Sequence, residues 1–319
     1  MEEFKSKNRR SFVKKTIAAS AAIFFLSSFK YAAKKKSKKS TKITIVHTND
    51  MHSHIEPFDK NDKHFPGQGG LIKLATLIKK IRQEQEHVLV LDAGDIFQGT
   101  PYFNLYKGEV EFKLMSAIGY DASTMGNHDF DNGLTGFNKM LPHANFPFIC
   151  SNYDFSNTIL KDKTAKFKVI KKGDINIGIL GIGIELNGLV PSSLYKETKC
   201  LDPYTTANYY AKILKEKHHC KLIICISHLG YKYENKTKPS DINLARKTNN
   251  IDLIIGGHTH TFLEKATVHK NSMGKQVLIN QAGWGALNLG RVDFHFSKKN
   301  SQQIDLEATI NHTKNYAKI

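Results

Sequence analysis

The sequence predicts an α/β fold with at least one largely buried sheet, and three observations carry that prediction. Short apolar runs rich in β-branched residues recur along the chain, helical patterns lie between them, and nearly every run ends in a cluster of Asp, His, Asn or Gly. The first run, ITIV at 43–46, leads into HTNDMHSH. A helix is expected next, because Leu71, Leu74, Ala75, Ile78 and Ile81 repeat at three- and four-residue spacing after Gly69 and Gly70. VLVL at 88–91 leads into DAGDIFQGTP, and DASTM at 121–125 into GNHDFDNG. Residues 204–217 read as helical, KLIICI at 221–226 ends in SHLG, residues 241–248 read as helical again, and IDLII at 251–255 ends in GGHTH. Past Gly257 strand signals follow without helices, in KQVLIN at 275–280 and LGRVDFHF at 289–296. They predict a second sheet finished by antiparallel strands.

A chain of 319 residues, 40% hydrophobic and 24% charged, has the composition of a globular protein with a sizeable core. The net charge of +18 would suggest nucleic acid or an anionic membrane as partner, but it is unevenly placed. Residues 1–42 carry 13 Lys/Arg against 2 acids, which leaves the rest of the chain at +7. No basic, aromatic-interleaved module stands in the body, so no nucleic-acid partner is expected. Cys150, Cys200, Cys220 and Cys225 show no C-x-x-C spacing, which argues against a zinc-thiolate site. Cys225 and Cys150 read as buried thiols; in an oxidising compartment Cys200 and Cys220 are free to pair, a choice that spacing leaves open.

Ligands in open α/β sheets bind outside the carboxyl ends of the strands, where all five polar clusters fall. Asp50 and His52 form D-x-H, Asp95 follows Gly94, Asn127 and His128 open GNHDFDNG, His228 follows a strand, and His258 and His260 form H-x-H. Taken singly, each reads equally well as a surface or core residue, and GNHDFDNG reads as a turn. Together they form a set of oxygen and nitrogen ligands without sulfur, which suits Mn, Zn, Fe or Co better than Mg or Cu(I). Asp50, His52, Asp95, Asn127, His228, His258 and His260 are too many for one ion. Two ions about 3.5–4 Å apart, sharing a carboxylate, would use them all in displacement at phosphorus. No Ser stands in a G-x-S-x-G setting.

The ordered blocks D-x-H, G-D, G-N-H-D, H and G-H-x-H resemble the calcineurin-like metallophosphoesterase superfamily. The longer wordings TNDMHSH, GDIFQGTP, GNHDFDNG, GGHTH and NQAGWGALNLG resemble the catalytic domain of the 5′-nucleotidase family, over roughly residues 43–297. The resemblance implies a four-layer αββα sandwich and assigns Asp50, His52, Asp95 and His260 to one metal and Asp95, Asn127, His228 and His258 to the other. At His260 many relatives of this type have Gln, while the wider superfamily has His. The resemblance further implies that water or hydroxide held by the metals attacks a nucleoside monophosphate. His128 would donate a hydrogen bond or proton to the phosphoryl group, and Asp131 would orient it. His54 reads as a neighbour of the ligands or as a structural residue, and His64, His87, His143, His218, His219, His269 and His312 as solvent-facing.

Full-length 5′-nucleotidases carry a C-terminal domain that stacks on the base. This sequence stops at Ile319, so the expectation is a catalytic domain over 43–319, with base recognition supplied either by a separate chain or by the domain's own loops. Other readings keep the chemistry and change the substrate to 2′,3′-cyclic nucleotides, nucleotide sugars or sulfur-linked groups, or make the chain a non-enzymatic metal-binding scaffold. Residues 1–33 read as an export signal: Arg9 and Arg10, followed by Ser11, Phe12, Val13 and Lys14, resemble a bacterial twin-arginine signal. The uncharged stretch from Thr16 to Phe29 is short for a bilayer span, and Lys34 to Lys42 reads as a basic linker. A periplasmic protein is expected, tethered through the leader if the poorly formed cleavage site is not cut.

Overall fold

The computed structural model describes residues 40–298 and 304–307. The export-signal reading, residues 34–39 of the linker and His312 lie outside them, while Thr41 and Lys42, expected as linker, already belong to the first strand. One compact unit contains residues 41–296; of a second, only residues 40, 297–298 and 304–305 are described. Among the described residues no helix is long and apolar enough to cross a membrane.

The chain begins with β1 (Thr41–Thr48), α1 (Leu71–Glu84), β2 (Val88–Asp92), α2 (Pro101–Tyr106), α3 (Glu109–Ile118), β3 (Ala122–Ser123) and α4 (Gly133–Met140). It continues through β4 (Tyr153–Asp154), β5 (Phe167–Lys172), β6 (Ile175–Ile182), α5 (Ser192–Tyr195), β7 (Lys199–Cys200), α6 (Pro203–Glu216) and β8 (Leu222–Ser227). Then come α7 (Asp241–Lys247), β9 (Leu253–Gly256), β10 (Thr267–Lys270), β11 (Gln276–Asn280), β12 (Gly290–Lys298) and β13 (Ile304–Glu307). In the larger unit one sheet runs β12-β1-β2-β3 and a second runs β10-β11-β9-β8-β6-β5.

Strand parity builds the layers. Val46, Val88 and Val90 pack with Leu74, Ile78 and Ile81 of α1 and with Phe112 and Phe137 of α3 and α4. Leu180, Ile182, Ile223, Cys225, Ile254 and Ile279 pack with Ala207, Ala211 and Leu214 of α6 and Leu244 of α7. Because successive side chains on a strand point to opposite faces, Ile43, Ile45, Leu89 and Leu91, Leu222, Ile224, Ile226, Leu253 and Ile255, all fully buried, belong to the inner faces between the sheets. His47 on β1 and Asn280 on β11 meet there, Nε2 to Nδ2 at 2.9 Å. The result is the expected αββα order of layers.

Three expectations need correction. KQVLIN forms β11, parallel to β9, and LGRVDFHF forms β12, which leaves the second sheet and pairs antiparallel with β1 in the first. Alternation marks a strand but carries no sign of its partner or direction, which are settled by which edge stands open. DASTM shortens to the two residues of β3. The hairpin β5–β6, with β6 central in the second sheet, and helix α3 had not been anticipated. All four cysteines are free thiols, with Cys150, Cys220 and Cys225 buried and Cys200 half-buried.

Candidate metal centre

Five strand ends deliver the candidate ligands to one place. Asp50 and His52 follow β1, Asp95 follows β2, Asn127 follows β3, His228 follows β8, and His258 and His260 follow β9. The loops lock to one another through the backbone: Asp50 N–H donates to Gly94 O at 2.9 Å, His52 N–H to Asp95 O at 3.1 Å and His228 N–H to Ile182 O at 2.7 Å. The His258 N–H donates to the Asp50 carboxylate at 2.9 Å. Two glycines make the approach feasible. A Cβ on Gly94 would stand 2.5 Å from Gly126 N, and one on Gly126 would stand 2.2 Å from Asp95 Oδ1.

The backbone is strained where the candidate ligands sit. Asp50, His52, Asp95, His258 and His260 all adopt positive φ, between 48° and 72°. Such geometry is uncommon for residues with a Cβ, and surrounding contacts must over-determine it.

The side chains form two triads, Asp50–His52–His260 and Asp95–His228–His258, each with its ligand atoms within 4.8 Å of one another. Asp95 lies between them: its Oδ2 is 3.0 Å from His228 Nε2 and 4.0 Å from His52 Nε2. Asn127 Oδ1 joins the second triad, 2.8 Å from His258 Nδ1. All seven sequence-expected ligand residues therefore meet. His128 and Asp131 stand beside them. The His128 ring centre is 5.2 Å from that of His52, and its Nδ1 is 2.8 Å from Asp131 Oδ2.

The donor set fits divalent cations. His228 Nε2 is fully buried, faces the Asp95 carboxylate at 3.0 Å, and yet makes no hydrogen bond of acceptable geometry. His52 Nε2 and His260 Nε2 converge to 3.0 Å, a contact of two lone pairs unless one carries a proton. Burial pushes the Asp50 carboxyl up to about 7, with the neighbouring Asp95 charge adding to it. It also pulls His258 down to about 3 and His260 to about 4, keeping both imidazoles neutral and their lone pairs available. At His228 burial pulls down, but Asp95 and Asp50 together outweigh it and raise the imidazole to about 10. His128 is raised chiefly by its hydrogen bond to Asp131, with Asp95 contributing.

The motif order and this geometry coincide with one family. A family model, calcineurin-like phosphoesterase, matches residues 43–262. The chain belongs to the calcineurin-like phosphoesterase family. It is thereby placed among metal-dependent phosphoester hydrolases. A snake venom 5′-nucleotidase from Gloydius brevicauda is 33% identical over 87% of this chain and 48% of its own length. The 5′-nucleotidase of Bos taurus is 33% identical over 69% of this chain and 38% of its own length. Among solved structures, a 5′-nucleotidase precursor from Thermus thermophilus superposes with TM-score 0.71 at 31% identity, covering 86% of this chain and 55% of that one. The NAD nucleotidase of Haemophilus influenzae superposes with TM-score 0.71 at 28% identity, covering 87% and 52%. This phosphoesterase spans about half the length of such relatives.

Several residues around the centre escaped sequence reasoning. Asp129, fully buried, accepts from the N–H groups of Asp95, Ile96 and Gly126 at 2.9, 3.0 and 2.8 Å and so pins the two ligand turns together. Asn49 donates to Asp50 Oδ2 and to Gly283 O, both at 2.6 Å, and Gln281 donates to Gly257 O at 2.7 Å. Asp129 stood inside GNHDFDNG, where its place between His128 and Asp131 was the available signal. His54 is half-buried, its Nδ1 3.0 Å from His52 O, so it supports the ligand loop. His64 and His219 are exposed as expected, whereas His87, His143, His218 and His269 are half-buried.

Proposed function

We propose that this chain is an exported hydrolase that releases phosphate from nucleoside 5′-monophosphates at a centre of two divalent cations. The observation that carries this is the pair of triads joined through Asp95 with the His128–Asp131 dyad beside them. Asp50, His52, Asp95 and His260 would hold one cation, and Asp95, Asn127, His228 and His258 the other. Bound there, the cations would neutralise phosphoryl charge and lower the pKa of water toward about 7. The protein's own part is positioning and proton traffic. Asp131 accepts from His128 Nδ1–H, which fixes the ring and favours its imidazolium form, so that Nε2 presents a second proton to substrate. That proton passes to the leaving alkoxide as the ester bond breaks, a contribution of about 10²- to 10⁴-fold. The His128 N–H donates to Asp95 Oδ1 at 2.8 Å, so the acid and the shared carboxylate are held in one register.

Nucleoside monophosphates are the preferred substrates because several relatives at or above 31% identity are named 5′-nucleotidases. A relative named as a trifunctional nucleotide phosphoesterase, from Bacillus subtilis and 32% identical over 82% of this chain and 19% of its own length, favours a second reading in which nucleotide esters other than monophosphates are also substrates. The test is phosphate release by the full chain loaded with Mn, Co or Zn, on AMP, UDP-glucose, a 2′,3′-cyclic nucleotide and p-nitrophenyl phosphate. A highest kcat/KM on AMP is expected; a higher value on a diester would transfer the assignment to the second reading.

A further inference from the structure

Next to the His260 corner of the centre lies a row of aromatic rings that no step above uses. The His260 imidazole lies parallel to Trp284, 9° between planes and 5.4 Å between centres. Trp284 meets Phe58 edge-on at 5.4 Å and Phe65 at 6.3 Å, and Phe65 lies 6.1 Å from Phe262 with only 30° between planes. Phe262 is 45% exposed and stands two places from a candidate ligand. Its ring covers Gly283, where a Cβ would come within 2.3 Å of it, so the chain at 283 is shaped to seat that ring.

Phe58 and Phe65 stand on a segment, residues 56–70, that has no helix or strand yet is firmly organised. Asp62 Oδ1 accepts from the N–H groups of His64 and Phe65 at 2.8 and 2.7 Å, and Phe58 N–H donates to Gln68 O at 2.8 Å. Lys73 Nζ donates to Gly67 O at 2.8 Å. An ordered loop of this length without regular structure is commonly a binding element.

We infer that Phe262 and Phe65 form a stacking shelf for the aromatic base of the ester substrate, so that this domain recognises the leaving group itself. The inference rests on the phosphoesterase reading above and adds the substrate's aromatic ring to it. The occupant follows from position. Whatever covers the open Phe262 face while its phosphoryl group lies among the triads must be flat, apolar on its face and joined to that group by a short polar linker. A nucleoside meets all three conditions, and base stacking on aromatic side chains tolerates any base because each presents a π-face.

The test compares AMP with ribose 5-phosphate, which has the same leaving oxygen and no base, in the full metal-loaded chain and in its Phe262→Ala, Phe65→Ala and Phe262→Trp variants. Loss of one stacking ring is expected to lower kcat/KM on AMP about 10- to 100-fold. On ribose 5-phosphate the change should be under about twofold, with metal content unaltered, and Phe262→Trp should keep most of the AMP preference. Equal losses on both esters, or no loss on AMP in either alanine variant, would overturn the shelf while leaving the hydrolase reading intact. A wild-type chain inactive on both esters under every metal would overturn that reading and the shelf with it.

Discussion

The two triads of the metal centre are built from the same residue types and are held in different ways. Asp95, His228 and His258 form the half whose rings are fixed by hydrogen bonds, the sealed half, although His258 is half-buried as His260 is in the other triad. The His228 side chain has no exposure, its Nδ1 is fixed 2.7 Å from Ala93 O, and Asn127 holds His258. Asp50, His52 and His260 form the open half, in which the His260 side chain is 39% exposed and rests on the face of Trp284. A ligand oriented by buried hydrogen bonds gives up little freedom when a cation binds, whereas an exposed ring held by stacking gives up more. The sealed half is therefore expected to hold its ion more tightly, and the open half to exchange it more readily.

Four measurements can break or sharpen that contrast. Asp95→Ala should abolish it, because the Asp95 carboxylate faces His228 of one half and His52 of the other. Both ions should be lost together with about 10⁴-fold of activity, the equivalent of several kcal/mol of charge stabilisation. Retention of one ion, read by atomic emission after gel filtration, would show that Asp95 belongs to one half alone. His128→Ala should lower kcat about 10³-fold while both ions stay bound. Metal loss in that variant would make His128 a ligand.

His260→Ala probes the halves separately. The open-half ion should weaken about 10- to 100-fold and the sealed-half ion hardly at all, a split that stepwise chelator titration would reveal. Parallel weakening of both would mean that the halves are a single cooperative unit. The smallest effect concerns the interior between the two sheets, where His47 is fully buried. Burial pulls His47 down to about 3, so between that value and about 6.5 the unfolded chain binds a proton that the folded chain excludes. Stability from this residue is thus steady above about pH 6.5 and falls as pH drops toward 3, by on the order of 2 kcal/mol at pH 5. Urea midpoints at pH 7 and 5 should converge more in His47→Gln than in the wild type; an unchanged difference would place water at the His47 ring.

The seven candidate ligands were legible because each follows an apolar run of strand length, and strand ends in α/β sheets converge. Asp129 was not legible, although it lies within the same motif. Its role is to accept three backbone N–H groups, two of them from a turn more than thirty residues earlier, and backbone donors leave no trace in side-chain identity. The positive φ at five candidate ligand positions was equally hidden, since Asp and His enter the left-handed region more often than most side chains but far less routinely than Gly.

The sequence by itself determined the alternation of strand and helix, the chemistry of the donor set and its order along the chain, because periodicity and residue type are local properties. Tertiary structure alone decided that β12 returns to pair with β1 and that β11 runs parallel to β9. It also decided that Trp284 lies flat on His260 and that the rings of Phe65 and Phe262, nearly two hundred residues apart, come within 6.1 Å of each other. Pairing partner, layer and ring contact depend on which surfaces remain uncovered once the rest of the chain has packed, and no short window of sequence contains that information.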